Sequence, residues 1–176
     1  MVPQLCFFLS VALGFVAWSI VAKRYVWPRL RALPRVDALR PILVLHSFRF
    51  LGLAFLIPGV VSPDLPAGFA RPDAYGDIGA ALLALLSLAL LNRRVGVPLV
   101  WVFNLWGSAD LLLAFYHGNA VGLIPGQLGA AYFIPTLFVP LLLITHVLAF
   151  RILLSSQGAP EARNSWQRGT ATNAAE

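Results

Sequence analysis

Five runs of mostly apolar residues, each close to twenty residues long, constrain the fold of this chain more than any other feature. A helix needs roughly 20 apolar residues to cross the hydrocarbon core of a bilayer, so each run has the length of a membrane span. Only 11% of the residues are charged and the mean hydropathy is +0.80, whereas soluble domains carry about 25% charged residues. The sequence therefore predicts an all-α polytopic membrane bundle with five transmembrane helices in a single domain, residues 1–154.

Prolines, glycines and charged residues mark the ends of these spans. Pro41 and Pro98 suit the first turns of the helices that follow them, and Gly118 closes a helix. The predicted spans cover about residues 4–22, 41–61, 73–92, 98–117 and 130–153.

Two segments fall outside the predicted spans. Residues 23–40 hold six basic residues and two prolines, Pro28 and Pro34. Because the prolines argue against one long helix, this stretch is interpreted as a basic interfacial loop that contacts anionic lipids. Residues 155–176 are polar and are expected to form a disordered cytoplasmic tail.

The thirteen basic residues fall unevenly on the two sides of the spans. Arg71 alone lies on one side and Arg49 lies within a span, while the others share the opposite side: Lys23, Arg24, Arg29, Arg31, Arg35, Arg40, Arg93, Arg94, Arg151, Arg163 and Arg168. Cytoplasmic loops carry the excess of lysine and arginine, so the N-terminus is expected outside and the C-terminus in the cytoplasm. The preference for arginine over lysine favours a bacterial, multi-pass inner-membrane protein. The net charge of +6 is explained by this bias, and no nucleic-acid partner is expected.

Five polar side chains share one depth in the predicted bundle. At 1.5 Å rise per residue, His46, Arg49, Ser87, Asn104 and His146 lie about 8–12 Å from the cytoplasmic ends of their spans. Polar groups in hydrocarbon are costly and normally face the bundle interior or a water-filled cavity. This layer is therefore predicted to bind a small molecule or a cofactor.

The first candidate ligand is haem b, held between His46 and His146. Two imidazoles from different helices at one depth are what bis-histidine ligation across a bundle requires, and Arg49 would neutralise a propionate. Such a protein would serve membrane electron transfer. No third ligand completes another coordination shell in this layer, so no metal is predicted beyond the haem iron. The alternative is that both histidines only form structural hydrogen bonds.

Two further function classes stay open. In a small-solute or anion transporter, Arg49 would hold an anionic group and the last helix would flex at Pro135 and Pro140. In a non-catalytic accessory or lipid-binding protein, the bundle would serve a partner. Whatever the function, the small size of the chain predicts a homo-oligomer or a membrane partner. The residues do not decide whether the protein is an enzyme, although three histidines are too few for a membrane di-iron oxygenase.

A second polar group is predicted toward the outer side. Asp110 and His117 are seven residues apart, so they share a helix face and could form an ion pair or a proton relay. Arg49 lies about 6 Å from Asp110 in depth and could pair with it instead. The acids Asp64, Asp73 and Asp77 are placed in the loop above, where they are expected to cap helices.

Overall fold

Residues 2–155 are described by a computed structural model of the chain. They form five long helices and a short 3₁₀ helix, with no β-strand in that range. The long helices are α1 (Val2–Leu30), α2 (Arg35–Leu56), α3 (Ala67–Leu90), α4 (Gly96–Ala120) and α5 (Ile134–Leu154), and the 3₁₀ helix Pro125–Tyr132 precedes α5. All five are long and apolar enough to cross a membrane, which confirms the predicted all-helical fold and its five candidate spans. Apart from Ser155, the predicted tail lies outside the described residues.

The predicted interfacial loop 23–40 is helical over most of its length. α1 continues through a π-helical turn, Ala22–Val26, and ends in one α-helical turn, Trp27–Leu30. Pro28 falls at the start of that last turn, where a missing N–H is tolerated. Pro34 precedes the first residue of α2. Only Pro34 therefore marks a helix start, while Pro28 lies within α1 and Pro41, predicted to begin the second span, lies within α2.

Helix α1 lies at the outside of the bundle, and none of its residues from Val2 to Val21 is buried. It packs on α5, where Gly14 contacts the carbonyl of Thr136. Pro140 has no N–H to donate to that carbonyl, so the neighbouring backbone can approach it closely. One turn further, the indole Nε1 of Trp18 donates to the carbonyl of Leu137 at 3.0 Å. These two contacts are among those that hold α1 against the bundle.

The second half of α2, Phe48–Leu56, is a 3₁₀ helix. Three residues per turn place every third side chain on one face. Arg49, Gly52 and Phe55 are the buried residues of this segment. They face α3. A Cβ on Gly52 would collide with Asp77, and the ring centroids of Phe55 and Phe69 lie 5.3 Å apart. The 3₁₀ winding therefore directs Arg49 into the interior.

Small residues allow α3 to lie close to its neighbours. Its buried positions include Ala74, Ala80, Ala81 and Ala84, and small residues let membrane helices approach each other. Beside them, the core at the end of the bundle that carries the turns 31–34 and 91–95 is aliphatic and aromatic: Leu39, Ile42, Leu43, Leu91, Val100, Phe103, Ala149 and Ile152. This end, which also holds most of the arginines, is called the basic end below.

Candidate functional site

A buried arginine joins carboxylates from two neighbouring helices. Arg49 is 1% exposed. Its Nε donates to Oδ1 of Asp77 at 2.7 Å, and its Nη2 also lies 2.7 Å from this oxygen. Nη2 also donates to Oδ2 of Asp110, and Nη1 donates to the carbonyl of Gly107 at 3.1 Å. All three guanidinium nitrogens therefore have acceptors within the chain. Arg49, Asp77 and Asp110 are called the ionic cluster.

Three glycines within the helices lie directly against the ionic cluster and a neighbouring histidine. Gly52 faces Asp77, Gly76 faces Asp110, and Gly107 faces His146 and Arg49. At Gly107, a Cβ would stand 2.6 Å from Nε2 of His146 and 2.8 Å from Nη1 of Arg49. Glycine inside a helix costs about 0.5–1 kcal/mol relative to alanine, so its presence here is explained by the space it leaves.

The rings of His46 and His146 lie against each other, with centroids 4.2 Å apart, and both residues are buried. Nδ1 of His146 is 2.7 Å from Oδ1 of Asn104, whose amide nitrogen donates to the His146 carbonyl at 3.3 Å. That pattern assigns the hydrogen of His146 to Nδ1. Nε2 of His46 is 2.9 Å from the hydroxyl of Thr145. Within residues 2–155, Nδ1 of His46 and Nε2 of His146 have no hydrogen-bond partner.

The contact between the two rings bears on the haem prediction. Ligation from both faces requires a porphyrin between the imidazoles, and a centroid separation of 4.2 Å does not admit one. Helices α2 and α5 would have to separate for haem to enter. The described part of the chain also holds no group of three or more His, Cys, Asp or Glu residues that could hold a metal ion. Haem ligation by His46 and His146 stays a prediction.

His117 is joined to Asp73 rather than to Asp110. Its Nδ1 lies 3.1 Å from Oδ1 of Asp73, while Asp110 pairs with Arg49. Oδ2 of Asp73 is buried and has no hydrogen-bond partner in the described range. The remaining predicted member of the polar layer, Ser87, is buried in α3, and no hydrogen bond within residues 2–155 joins it to the histidines.

The sequence interpretation missed Asp73 and Asp77 as members of the site. It grouped them with the loop acids as helix caps, although they stand at the start of the predicted span 73–92. In the structure α3 begins at Ala67 and carries both inside the helix as buried residues. Pro72 lies within that helix, although the sequence interpretation made it the first turn. A usable signal was present: Phe69, Asp73 and Asp77 recur every four residues, which places them on one helix face.

A cavity of about 330 Å³ adjoins the ionic cluster at the end of the bundle where α1 begins. Small-molecule sites have volumes of roughly 300–1,000 Å³. Three carboxylates line this cavity, Asp73, Asp77 and Asp110, but Arg49 does not. Much of the remaining wall is aromatic: Phe7, Phe8, Phe55, Phe69 and Phe115. The site thus combines an apolar enclosure with acidic groups on one side.

Comparison with known proteins gives a family and no activity. The model of a family described as a domain of unknown function, DUF8737, matches residues 6–154. This range contains the ionic cluster, the histidine pair and nearly all of the five long helices. No curated protein and no solved structure matches the chain.

Proposed function

The chain belongs to the DUF8737 family, and we propose that it binds a small solute inside its helix bundle and transports it across the membrane. The observation that carries this proposal is the direct contact between an apolar cavity and a buried ionic cluster. Ionisable residues within membrane spans are costly, and they mark substrate or ion pathways. An apolar cavity with a few convergent polar groups is the usual form of a small-molecule site.

The continuation of polar groups beyond the cavity supports transport rather than binding alone. Arg49 donates to the carbonyl of Gly107, and the ring of His146 lies against the same glycine. The ring of His46 follows, and it contacts Thr145. Polar side chains therefore extend from the cavity toward the basic end of the bundle.

Two irregular helical segments border the site. The 3₁₀ segment of α2 carries Arg49. Helix α5 begins with a π-helical turn, Ile134–Phe138, which contains the cavity-lining residue Pro135. Long 3₁₀ stretches and π turns are uncommon within helices and often mark functional hinges. These segments are the places where α2 and α5 can change shape during a transport cycle.

Uptake into proteoliposomes tests the proposal. Phenyltrimethylammonium and benzenesulfonate are permanently charged probes of similar size that do not cross lipid bilayers readily. We expect at least one of them to enter proteoliposomes about tenfold faster than protein-free vesicles, a difference of about 1.4 kcal/mol. The Ala114→Trp variant, which fills the cavity, is expected to abolish this uptake, because Ala114 lines the cavity.

The matched control for that variant is Ala109→Trp, which places the same side chain at an exposed position of α4. This variant is expected to retain uptake. If neither probe entered faster than in protein-free vesicles, or if both tryptophan variants behaved alike, the transport proposal would be rejected.

We also propose the orientation that the basic residues predict, with the N-terminus outside and the basic end in the cytoplasm of an inner membrane. In a Cys6→Ser background, which removes the only cysteine, Asp64→Cys lies in the loop after α2 and Ala32→Cys in the turn after α1. A membrane-impermeant maleimide is expected to label Asp64→Cys in intact cells. It is expected to label Ala32→Cys only after the membrane is permeabilised. The reversed labelling pattern would contradict this orientation.

The same orientation places a cationic surface against the cytoplasmic leaflet. Arg24, Arg29 and Arg31 are exposed near the end of α1, and the guanidinium of Arg151 stacks on the ring of Trp27 at 4.1 Å. Basic residues next to a membrane attract anionic headgroups. We propose that residues 23–40 contact anionic lipids, which would hold this end of the bundle at the interface.

A further inference from the structure

We infer that the solute is an organic ammonium ion with an apolar group attached. This inference rests on the proposed function, and it names the class of solute that the same cavity takes. The charge balance of the site is the first observation that supports this inference. Asp73, Asp77 and Asp110 line the cavity against a single buried arginine. When the three carboxylates are ionised, they carry two negative charges more than the guanidinium of Arg49 balances.

The side chains that a solute would meet in the cavity are acidic. The side chain of Arg49 has no exposed surface and does not line the cavity, and each of its nitrogens already has an acceptor in the chain. An anionic solute would therefore meet carboxylates without an available guanidinium. This arrangement favours a cation over the anion considered from the sequence.

Asp73 is the group best placed to receive that cation. It lines the cavity, is only 4% exposed, and its Oδ2 has no hydrogen-bond partner in the described range. A buried carboxylate oxygen without a donor is costly, so a donor or a positive charge is expected to face it. An ammonium group at this oxygen would supply both.

The other residues that line the cavity favour an organic ion over a metal ion. Phenylalanine rings attract cations through their faces and also bury apolar groups. Phe7 and Phe8 of α1, Phe55 of α2 and Phe69 of α3 all line the cavity. Among residues 2–155, no cluster of three or more metal-binding side chains is present. The geometry therefore fits an apolar group among the rings and its charged nitrogen at the carboxylates.

Equilibrium binding to the purified full-length protein tests this inference with three probes of one shape. These are 2-phenylethylammonium, the neutral 2-phenylethanol and the anionic 3-phenylpropanoate. We expect the ammonium ion to bind at least about tenfold more tightly than the alcohol, since hydrogen bonds to charged groups are the stronger ones. The anion is expected to bind most weakly.

Two matched variants test whether the preference for the ammonium ion arises at Asp73. Asp73→Asn is expected to reduce the ratio of ammonium to alcohol affinity by about tenfold, while Asp64→Asn, at an exposed loop position, leaves it unchanged. Equal binding of the amine and the alcohol, or preference for the anion, would overturn the inference while leaving solute binding in place. If none of the three probes bound, both the inference and the solute-binding proposal would fail.

Discussion

Replacing Arg49 with leucine is expected to destabilise the protein by about 3–5 kcal/mol, the usual cost of removing one partner from a buried ion pair. Arg49 is buried, and its guanidinium is shared by Asp77 and Asp110. Its removal would leave two carboxylates inside the bundle without their cation. The measurement is unfolding of the purified protein in a mixed detergent titration, followed by helical circular dichroism.

Companion variants separate the lost charge from lost packing. The triple variant Arg49→Leu, Asp77→Asn, Asp110→Asn is expected to recover much of the stability, because no uncompensated charge remains in the cluster. A double variant that keeps Asp77 ionised should recover less, since the arginine bridges both acids. Arg94→Leu, at an exposed position, is the control and should change stability by less than about 0.5 kcal/mol. A triple variant as unstable as the single one would show that charge pairing is not the cause.

Substituting Gly107 with alanine is expected to cost about 1–3 kcal/mol through overpacking. The added methyl group would stand 2.6 Å from the His146 ring and 2.8 Å from Nη1 of Arg49. Neither neighbour can withdraw easily, because His146 is held by Asn104 and Arg49 by two acids. The expected signs are a lower unfolding midpoint and a loss of solute binding, both measured on the purified protein.

Gly79 provides the matched control for this substitution. A Cβ there would meet the Trp106 ring at 3.5 Å, an ordinary contact, so Gly79→Ala is expected to be neutral or slightly stabilising. Gly52→Ala and Gly76→Ala should resemble Gly107→Ala, because each would place a methyl group against an acid of the cluster. If Gly79→Ala and Gly107→Ala had the same unfolding midpoint and the same solute binding, the close packing at Gly107 would not be the reason for a glycine there.

The helical fold could be predicted from the sequence because it follows from the length and apolarity of each run. Depth within a span could be predicted for residues in regular helix: His46 and His146 lie in α-helical parts of α2 and α5, and the structure brings their rings together. The ends of the helices were harder to predict from the sequence. Proline was interpreted as a boundary at Pro28 and Pro72, whereas both lie within longer helical segments.

Two parts of the site had no clear counterpart in the sequence pattern. Phe48–Leu56 is wound as a 3₁₀ helix, and its sequence holds no proline or other local signal that predicts this winding. The helix face that carries Arg49 could therefore not be derived from an α-helical repeat. The partner of His117 also depends on which faces of α3 and α4 meet. Spacing within α4 suggested Asp110, but packing between the helices supplies Asp73 instead.

The 3₁₀ segment also sets the length of α2. Thirteen α-helical residues and nine 3₁₀ residues extend about 38 Å, against about 33 Å for 22 residues wound wholly as α-helix. Rewinding the segment would therefore shorten α2 by about 4–5 Å, close to one α-helical pitch, while its backbone groups stayed hydrogen-bonded as a bilayer requires. Arg49 lies at the start of this segment, and the cavity residue Phe55 lies near its end. Such a change in length would therefore alter the distance between Arg49 and Phe55 without moving the basic end of the helix.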